Sequence, residues 1–254
     1  MYSSLTSPVI FAHRGASSHA PENTLAAFQL AIEQGARAIE LDVQLTKDQE
    51  VVVFHDNYLN RTTNGSGRIK DKTLAEIKSL NAGISFSPAY QNETIPTLSE
   101  LLDFLPQDLF INIELKNLHA PFDNLPSRTA SVIHNFMAQN RVLISSFNTV
   151  ALLKFFRESP SIPRGLLVRT SSLAKIHSSF PFFLRNFQSI HLSFKSLSPQ
   201  LVTGFKRMGL KVYSYTLNHT QDILSSVKMG IDGFFTDDPG FAIRILMQNG
   251  FQKT

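Results

Sequence analysis

The chain has 254 residues, 43% of them hydrophobic and 17% charged, which is enough apolar material to bury a substantial core in one large domain or two small ones. Lys and Arg exceed Asp and Glu by 24 to 20, and no run of like charges concentrates this excess, so nucleic-acid binding is not indicated. The absence of cysteine excludes disulfides and thiolate metal sites, and the oxygen ligands that remain favour Mg²⁺ or Ca²⁺.

Short apolar runs rich in Val, Ile and Phe alternate with segments of helical periodicity along the chain. The runs predicted as strands are Val9–His13, Ala38–Leu45, Leu109–Leu115, Val142–Ser146, Gly165–Val168, Ser189–Phe194, Lys211–Leu217 and Gly233–Thr236. Helices are predicted at Asn23–Gln34, Ser127–Gln139, Pro199–Met208 and Thr220–Met229. Strand followed by helix, eight times, predicts a β/α barrel, although a doubly wound open sheet would give the same alternation.

Two local features refine this prediction. Asn23 is expected to cap the first helix, and Gly35 follows it where a left-handed residue is favoured. After the second strand, Val51–Asp56 resembles an extra strand and leads into a turn-rich stretch, residues 57–96. We therefore expect one domain over residues 1–254, a barrel with a small insertion after its second strand.

Two histidines stand at predicted strand ends. His13, followed by Arg14, closes the first strand at the carboxyl edge, where barrel enzymes build their active sites. His55 closes the short extra strand. A lone histidine at a strand end is more often structural than catalytic, but two facing each other suit acid and base roles because imidazole titrates near neutral pH. Asp56 either orients His55 or caps a turn.

The second strand carries Glu40 and Asp42, which lie two residues apart and hence on one face. Their neighbours Leu41 and Val43 take the other face and are expected to pack under helices. Both carboxylates then point into the barrel, where unpaired burial is costly. Either a cation or a neighbouring Lys or Arg side chain would relieve that cost.

The third barrel strand repeats this arrangement, since Asn112, Glu114 and Lys116 share one face. Glu114 is a candidate third oxygen ligand for a hard cation, with Lys116 beside it to meet phosphate charge. A simple ion pair between Glu114 and Lys116, without any ligand, is the alternative.

These residues resemble the motifs of the glycerophosphodiester phosphodiesterase family, of the bacterial cytosolic type. The motifs cover nearly the whole chain in order and are His13-Arg14-Gly15, Pro21-Glu22-Asn23-Thr24, Glu40-Leu41-Asp42, His55-Asp56, Arg61-Thr62-Thr63 followed by Gly65 and Gly67, Pro96-Thr97-Leu98, Glu114-Leu115-Lys116, Ser145-Ser146-Phe147-Asn148 and Gly233-Phe234-Phe235-Thr236-Asp237.

The resemblance implies a TIM barrel that hydrolyses glycerophosphodiesters, such as glycerophosphocholine or glycerophosphoethanolamine, to sn-glycerol 3-phosphate and an alcohol. The roles it implies are Mg²⁺ or Ca²⁺ binding by Glu40, Asp42 and Glu114, general acid and base catalysis by His13 and His55, and phosphate binding by Arg14 and Lys116. Which histidine is the acid stays open.

Three further residues have alternative interpretations. Tyr215 stands where the family usually has Trp, so it either forms a changed aromatic wall of the glycerol pocket or simply packs. Glu22 is expected to support Arg14 from behind, rather than only favouring the helix N-terminus. Asp237, at the end of the last strand, either caps a loop or supports the site. The histidines outside this cluster are expected to be structural or at the surface: His19, His119, His134, His177, His191 and His219.

Location and partners are predicted only coarsely. The segment Met1–Phe11 lacks signal-peptide character, and a cytoplasmic protein acting on small molecules is expected. The apolar stretch 180–187 raises membrane association as an alternative to a buried helix. Other open functions are lysophospholipase D-like or phospholipase C-like hydrolysis, and a non-catalytic module that binds phosphate ligands.

Overall fold

The computed structural model describes residues 7–169 and 184–251, and within them eight parallel strands close into a barrel. The nine strands in chain order are β1 (Val9–His13), β2 (Ala38–Leu45), β3 (Val51–Val53), β4 (Phe110–Leu115), β5 (Val142–Ser146), β6 (Arg164–Val168), β7 (Ser189–Ser193), β8 (Lys211–Tyr215) and β9 (Gly233–Thr236). β1 pairs with both β2 and β9, which closes the ring, while β3 pairs antiparallel with the end of β2. The predicted β/α barrel is confirmed.

Helices alternate with the barrel strands as the sequence predicts. They are α1 (Leu25–Glu33), α2 (Leu74–Lys78), α3 (Leu98–Phe104), α4 (Leu125–Asn135), α5 (Thr149–Glu158), α6 (Pro199–Arg207), α7 (Thr220–Lys228) and α8 (Pro239–Gln248). Short 3₁₀ turns lie at Leu59–Arg61, Ile69–Asp71, Pro88–Tyr90, Gln139–Arg141 and Phe194–Ser196. No helix in the described part of the chain is long and apolar enough to cross a membrane.

The period of two along each strand separates the two faces of the barrel wall. Leu41 and Val43 belong to the main hydrophobic core between strands and helices. Inside the barrel, Phe11 stacks on Phe235 with ring centroids 4.8 Å apart and meets Tyr213 edge-on at 5.2 Å. This aromatic layer fills the lower barrel, and the charged side chains on the inner face lie toward the carboxyl ends of the strands.

The insertion after β2 has a small core of its own, which includes Val52, Leu59 and Ile77. The extra strand is shorter than predicted and ends at Val53. Beyond Val53, the side-chain amide of Gln44 binds backbone carbonyl groups of the segment. Gln44 Nε2 donates to the carbonyl oxygens of Phe54 and Asp56, at 3.0 and 2.7 Å. The insertion thereby carries residues 55–61 across the barrel mouth.

The start of α1 corrects another prediction. Thr24, not Asn23, caps this helix, since Thr24 Oγ1 accepts a hydrogen bond from the Ala27 amide. Asn23 instead adopts a φ of 60°. Gly35 has a φ of 92°, the left-handed conformation expected after the helix.

The apolar stretch 180–187 is covered by the structure only in its second half. Residues 180–183 lie outside the described residues. Leu184 and Phe187 are buried in the main core, with 1% and 4% of their surface exposed. For these two side chains the buried alternative is therefore the one observed.

Candidate active site

The strand register brings the predicted polar residues to one level of the barrel. His13 on β1 lies opposite Glu40 on β2, and Asp42 lies opposite Glu114 on β4. Glu40, Asp42 and Glu114 are all buried, and each offers a carboxylate oxygen within 4.8 Å of the others. Three acidic side chains thus converge at the carboxyl end of adjacent strands, as the alternation predicts.

Asp42 is the most strongly held member of this carboxylate cluster. Its Oδ2 atom accepts a hydrogen bond from Asn23 Nδ2 at 3.0 Å and lies 3.2 Å from Arg14 Nε. Its Oδ1 atom is buried and accepts no hydrogen bond from a described residue, although Lys116 Nζ lies 3.6 Å away. Burial opposes ionisation, but Arg14 and Lys116 outweigh it and hold the pKa of Asp42 well below its usual range.

The pKa values of Glu40 and Glu114 are shifted in the opposite direction, upward. Burial, together with repulsion from Asp42 and Glu114, raises the pKa of Glu40 well above its ordinary value. Burial also raises the pKa of Glu114, even though Lys116 Nζ donates to its Oε1 at 2.9 Å. The ion pair named as an alternative to a cation site is therefore present, but with all three carboxylates ionised the cluster would still carry one net negative charge.

His13 is oriented by a carboxylate from the last strand. Its Nδ1 atom lies 2.6 Å from Asp237 Oδ1, and its Nε2 atom lies 3.9 Å from Glu40 Oε2. Asp237 also accepts from Ser17 Oγ at 3.2 Å and from Asn218 Nδ2 at 2.5 Å. Of the two roles considered for Asp237, support of the site is the one observed.

His55 is held in the same manner from the insertion. Its Nδ1 atom lies 2.6 Å from Asp56 Oδ1, so Asp56 orients the ring. Arg61 Nε donates to Asp56 Oδ2 at 2.6 Å, and both terminal nitrogens of Arg61 donate to Glu22 at 2.7 Å. Glu22 in turn accepts from Arg14 Nη1 at 2.9 Å. An unbroken ionic chain therefore connects His55 to Arg14, with Glu22 behind Arg14 as predicted.

Arg14 is fixed by its backbone as well as its side chain. It adopts a φ of 58°, and its amide donates to Glu40 Oε2 at 3.1 Å. Burial disfavours the charged guanidinium, but Asp42, Glu22 and Glu40 outweigh it and raise the pKa of Arg14. Arg14 stays protonated and faces the cluster with a permanent positive charge.

A cavity of about 230 Å³ opens among these groups. Tyr215 and Phe147 form its aromatic wall, with ring centroids 6.2 Å apart and an edge-to-face orientation. Tyr215 Oη donates to the Val168 carbonyl at 3.0 Å, and burial raises the pKa of its phenol. The predicted residues that line the cavity are His13, Arg14, Glu40, His55, Glu114, Lys116 and Tyr215.

Several residues at the site were not predicted. Asn23 orients Asp42, Arg61 links the insertion to Glu22, and Asn218 holds Asp237. His191, expected to be structural or at the surface, is fully buried and lines the cavity, with Nε2 3.0 Å from Ser189 Oγ. Its position between Ile190 and Leu192, which face the outer core, was a usable signal for an inward side chain.

The comparisons with known proteins agree with this geometry. The model of the glycerophosphoryl diester phosphodiesterase family matches residues 13–241. A glycerophosphodiester phosphodiesterase of Caldanaerobacter subterraneus is 39% identical over 243 residues, which cover 95% of this chain and 99% of that protein.

Solved structures give the same answer. An Oleispira antarctica phosphodiesterase, solved in complex with the product sn-glycerol-3-phosphate, superposes with a TM-score of 0.89 and is 36% identical, covering 95% of this chain and 97% of that one. A glycerophosphodiester phosphodiesterase from Thermotoga maritima has a TM-score of 0.76 at 28% identity, covering 93% and 97%. This chain therefore belongs to the glycerophosphoryl diester phosphodiesterase family and is an enzyme of that family.

Proposed function

We propose that this enzyme hydrolyses glycerophosphodiesters to sn-glycerol 3-phosphate and an alcohol at the cavity between β1, β2, β4 and the insertion. The observation that carries the proposal is a pair of carboxylate-held histidines, His13 and His55, lining the same small cavity as Glu40 and Glu114. Support also comes from the Oleispira antarctica relative, whose structure holds sn-glycerol-3-phosphate as product.

Glu40, Asp42 and Glu114 are proposed to bind a divalent cation, Mg²⁺ or Ca²⁺. The donor set fits, because all three offer hard oxygen atoms, and the buried Oδ1 of Asp42 accepts no hydrogen bond from a described residue. Three carboxylates face two cations, Arg14 and Lys116, so full ionisation leaves one negative charge that a divalent ion would offset. When bound, the cation would supply positive charge against the phosphoryl oxygens and lower the pKa values of Glu40 and Glu114.

The two histidines are proposed to move the protons of the reaction. A carboxylate on each Nδ1 atom fixes the ring so that Nε2 is the nitrogen available to the substrate. One histidine takes a proton from the attacking hydroxyl and the other gives a proton to the departing alkoxide. Attack by water releases glycerol 3-phosphate directly, whereas attack by a glycerol hydroxyl forms a cyclic glycerol phosphate that water must open in a second step. The near-symmetric arrangement leaves the assignment of acid and base to experiment.

Arg14 and Lys116 are proposed to hold the phosphate, and Tyr215 to shape the glycerol pocket. Arg14 and Lys116 both line the cavity, and each stays cationic because carboxylates raise its pKa. Tyr215 lines the same cavity and contacts Phe147 edge-to-face. The cavity of about 230 Å³ suits a glycerol phosphate, while a larger alcohol half would have to extend beyond it.

The test is release of glycerol 3-phosphate from glycerophosphocholine and glycerophosphoethanolamine by metal-stripped enzyme, measured before and after Mg²⁺ or Ca²⁺ is added. We expect no release after EDTA treatment and recovery with at least one of the two ions. Undiminished release from the stripped enzyme would overturn the cation site. Failure to release glycerol 3-phosphate with either ion would overturn the proposed reaction.

A further inference from the structure

Two larger hollows share lining residues with the cavity or with each other. A hollow of about 480 Å³ shares His55 and Phe147 with the cavity, and a second of about 650 Å³ shares Tyr58 and His119 with the first. Lys116 lines all three. We call the two larger hollows the outer groove; it is the open space next to the phosphate site into which the alcohol half of a diester would extend.

Lys116 is paired with Glu114 and Asp42, but three other cationic side chains of the outer groove lack carboxylate partners among the described residues. Arg169 lines the hollow nearer the cavity, and Arg68 and Lys70 line the farther one. All three are exposed, and none has a carboxylate of a described residue within 4.0 Å. Their positive charge is therefore available to a ligand.

The acidic side chains of the same groove are already engaged. Asp56 is bound to His55 and Arg61, and Glu114 to Lys116. Asp123 accepts hydrogen bonds from Asn117 Nδ2 at 2.7 Å and from the Leu125 amide at 3.2 Å. Asp123 has no cationic side chain of a described residue within 4.0 Å, so the outer groove presents three unpaired positive charges against this one unpaired carboxylate.

The aromatic rings of the groove also disfavour a cationic ligand. Arg68 lies over the ring of Tyr58 at 5.5 Å, and Arg169 lies over the ring of Phe147 at 5.4 Å. A quaternary ammonium group binds favourably over such rings, but a guanidinium group already lies over each of these two. A choline head group would meet like charge here rather than an open aromatic platform.

From this arrangement we infer that the outer groove selects glycerophosphodiesters whose alcohol half is anionic, carrying a second phosphate, over those with a neutral or cationic head group. The inference rests on the proposed function, because it assigns the specificity of the same site. Complementary charge across an open groove acts through encounter and binding of substrate. We expect the preference for an anionic alcohol half to appear in kcat/KM and to weaken as salt is added.

A matched substrate pair tests this directly. In both glycerophosphoglycerol and bis(glycerophospho)glycerol, the alcohol half of the cleaved diester begins with a glycerol. Only in bis(glycerophospho)glycerol does that glycerol carry another phosphate. With metal present and at low salt, we expect the second to be hydrolysed with a kcat/KM about five- to tenfold higher, beyond the factor of two for its two equivalent bonds. Glycerophosphocholine should rank below both.

Variants separate the groove from general surface charge. Lys70→Gln and Arg169→Gln should each lower the ratio of the two kcat/KM values about twofold to fivefold. Lys70 makes no ion pair with a described residue, so its replacement leaves the known contacts intact. Arg207→Gln and Lys228→Gln, which remove exposed cations from the C-terminal ends of α6 and α7, are the charge-matched controls and should keep the ratio.

The outcomes distinguish this inference from the proposed function. Hydrolysis of both diesters at equal kcat/KM, after the factor of two, would overturn the groove assignment while leaving the reaction established. An equal fall in the ratio in the control variants would likewise overturn it, since the effect would then come from net charge. Failure of the enzyme to hydrolyse any of the three diesters would instead overturn the proposed function.

Discussion

His13 and His55 occupy similar positions at the cavity but are held by different parts of the molecule. The carboxylate behind His13 is Asp237, which is fixed by Asn218 and Ser17 within the barrel itself. The carboxylate behind His55 is Asp56, which is fixed by Arg61, a side chain that is 49% exposed. One histidine therefore depends on the closed strand ends, and the other on an ionic chain between the insertion and the barrel.

The insertion after β2 completes the site that the barrel begins. The barrel alone provides His13, Arg14 and the three carboxylates. His55 is brought to the site only by the packing of the segment after β2 over the barrel mouth. Arg61 then bridges Asp56 and Glu22, and so aligns both His55 and Arg14. We expect the His13 side to be insensitive to changes in the insertion, and the His55 side to respond to them.

The largest effect is expected from removing either imidazole. His13→Ala and His55→Ala should each lower kcat by about 10² to 10⁴, because each deletes a proton-transfer group. His134→Ala, a change at a histidine bound to Ser159 on the outside of the barrel, is the matched control and should retain activity. Normal turnover in either site variant, with thermal unfolding unchanged, would remove that histidine from the mechanism.

The next effect compares the two carboxylates that orient the rings. Asp237→Asn and Asp56→Asn should each lower kcat about 10- to 100-fold, because the amide no longer fixes the ring with Nε2 toward the substrate. The Asp237 carboxylate accepts two further hydrogen bonds, from Ser17 and Asn218, so its variant should also be less stable to urea. Equal stability and unaltered kcat in both variants would show that neither carboxylate orients its histidine.

A smaller effect should come from Arg61, at the exposed link of the ionic chain. Arg61→Gln should lower kcat about tenfold, and Arg61→Lys should not restore it, since lysine cannot bind Asp56 and Glu22 with separate nitrogens. In double-mutant cycles, Arg61→Gln should couple with Asp56→Asn but add to Asp237→Asn. Coupling of similar size to both would contradict the separation of the two sides.

The remaining prediction concerns stability instead of turnover, and it involves His191, a histidine bound by no carboxylate of a described residue. Burial lowers its pKa to about 3, below the value of about 6.5 expected in an unfolded chain. The unfolded state therefore binds a proton that the folded state refuses, and stability is lost as pH falls from about 6.5 toward 3, by at most about 1.4 kcal/mol per pH unit. The free energy of unfolding, measured with urea at each pH, should depend less steeply on pH in His191→Gln than in the wild type. Equal pH dependence in the two proteins would contradict the assignment.

Much of the fold and the centre of the site could be predicted because the signals are local. The alternation along Ala38–Leu45 correctly predicts that Glu40 and Asp42 point into the barrel. The ordered motifs predict the family that the comparisons confirm. The boundaries were less accurate where a side chain bonds the backbone, as the Gln44 amide does at the carbonyls of Phe54 and Asp56.

The supporting residues were harder to predict because their partners are remote in sequence. His13 and Asp237 lie 224 positions apart, so their contact depends on closure of the barrel between β1 and β9. Arg61 lies in an irregular turn without periodicity, and its bond to Glu22 follows only from how the insertion packs. Asn23 looked like a helix cap, and only its φ of 60° turns it toward Asp42.

The most direct test of the account is calorimetric titration of Mg²⁺ and Ca²⁺ into metal-stripped protein, in the wild type and in Glu114→Gln. Glu33→Gln, at an exposed carboxylate on α1, serves as the charge-matched control. We expect a single ion per chain in the wild type and the control, and affinity at least about tenfold weaker in Glu114→Gln. Equal affinity in all three proteins would show that Glu40, Asp42 and Glu114 are not the cation site.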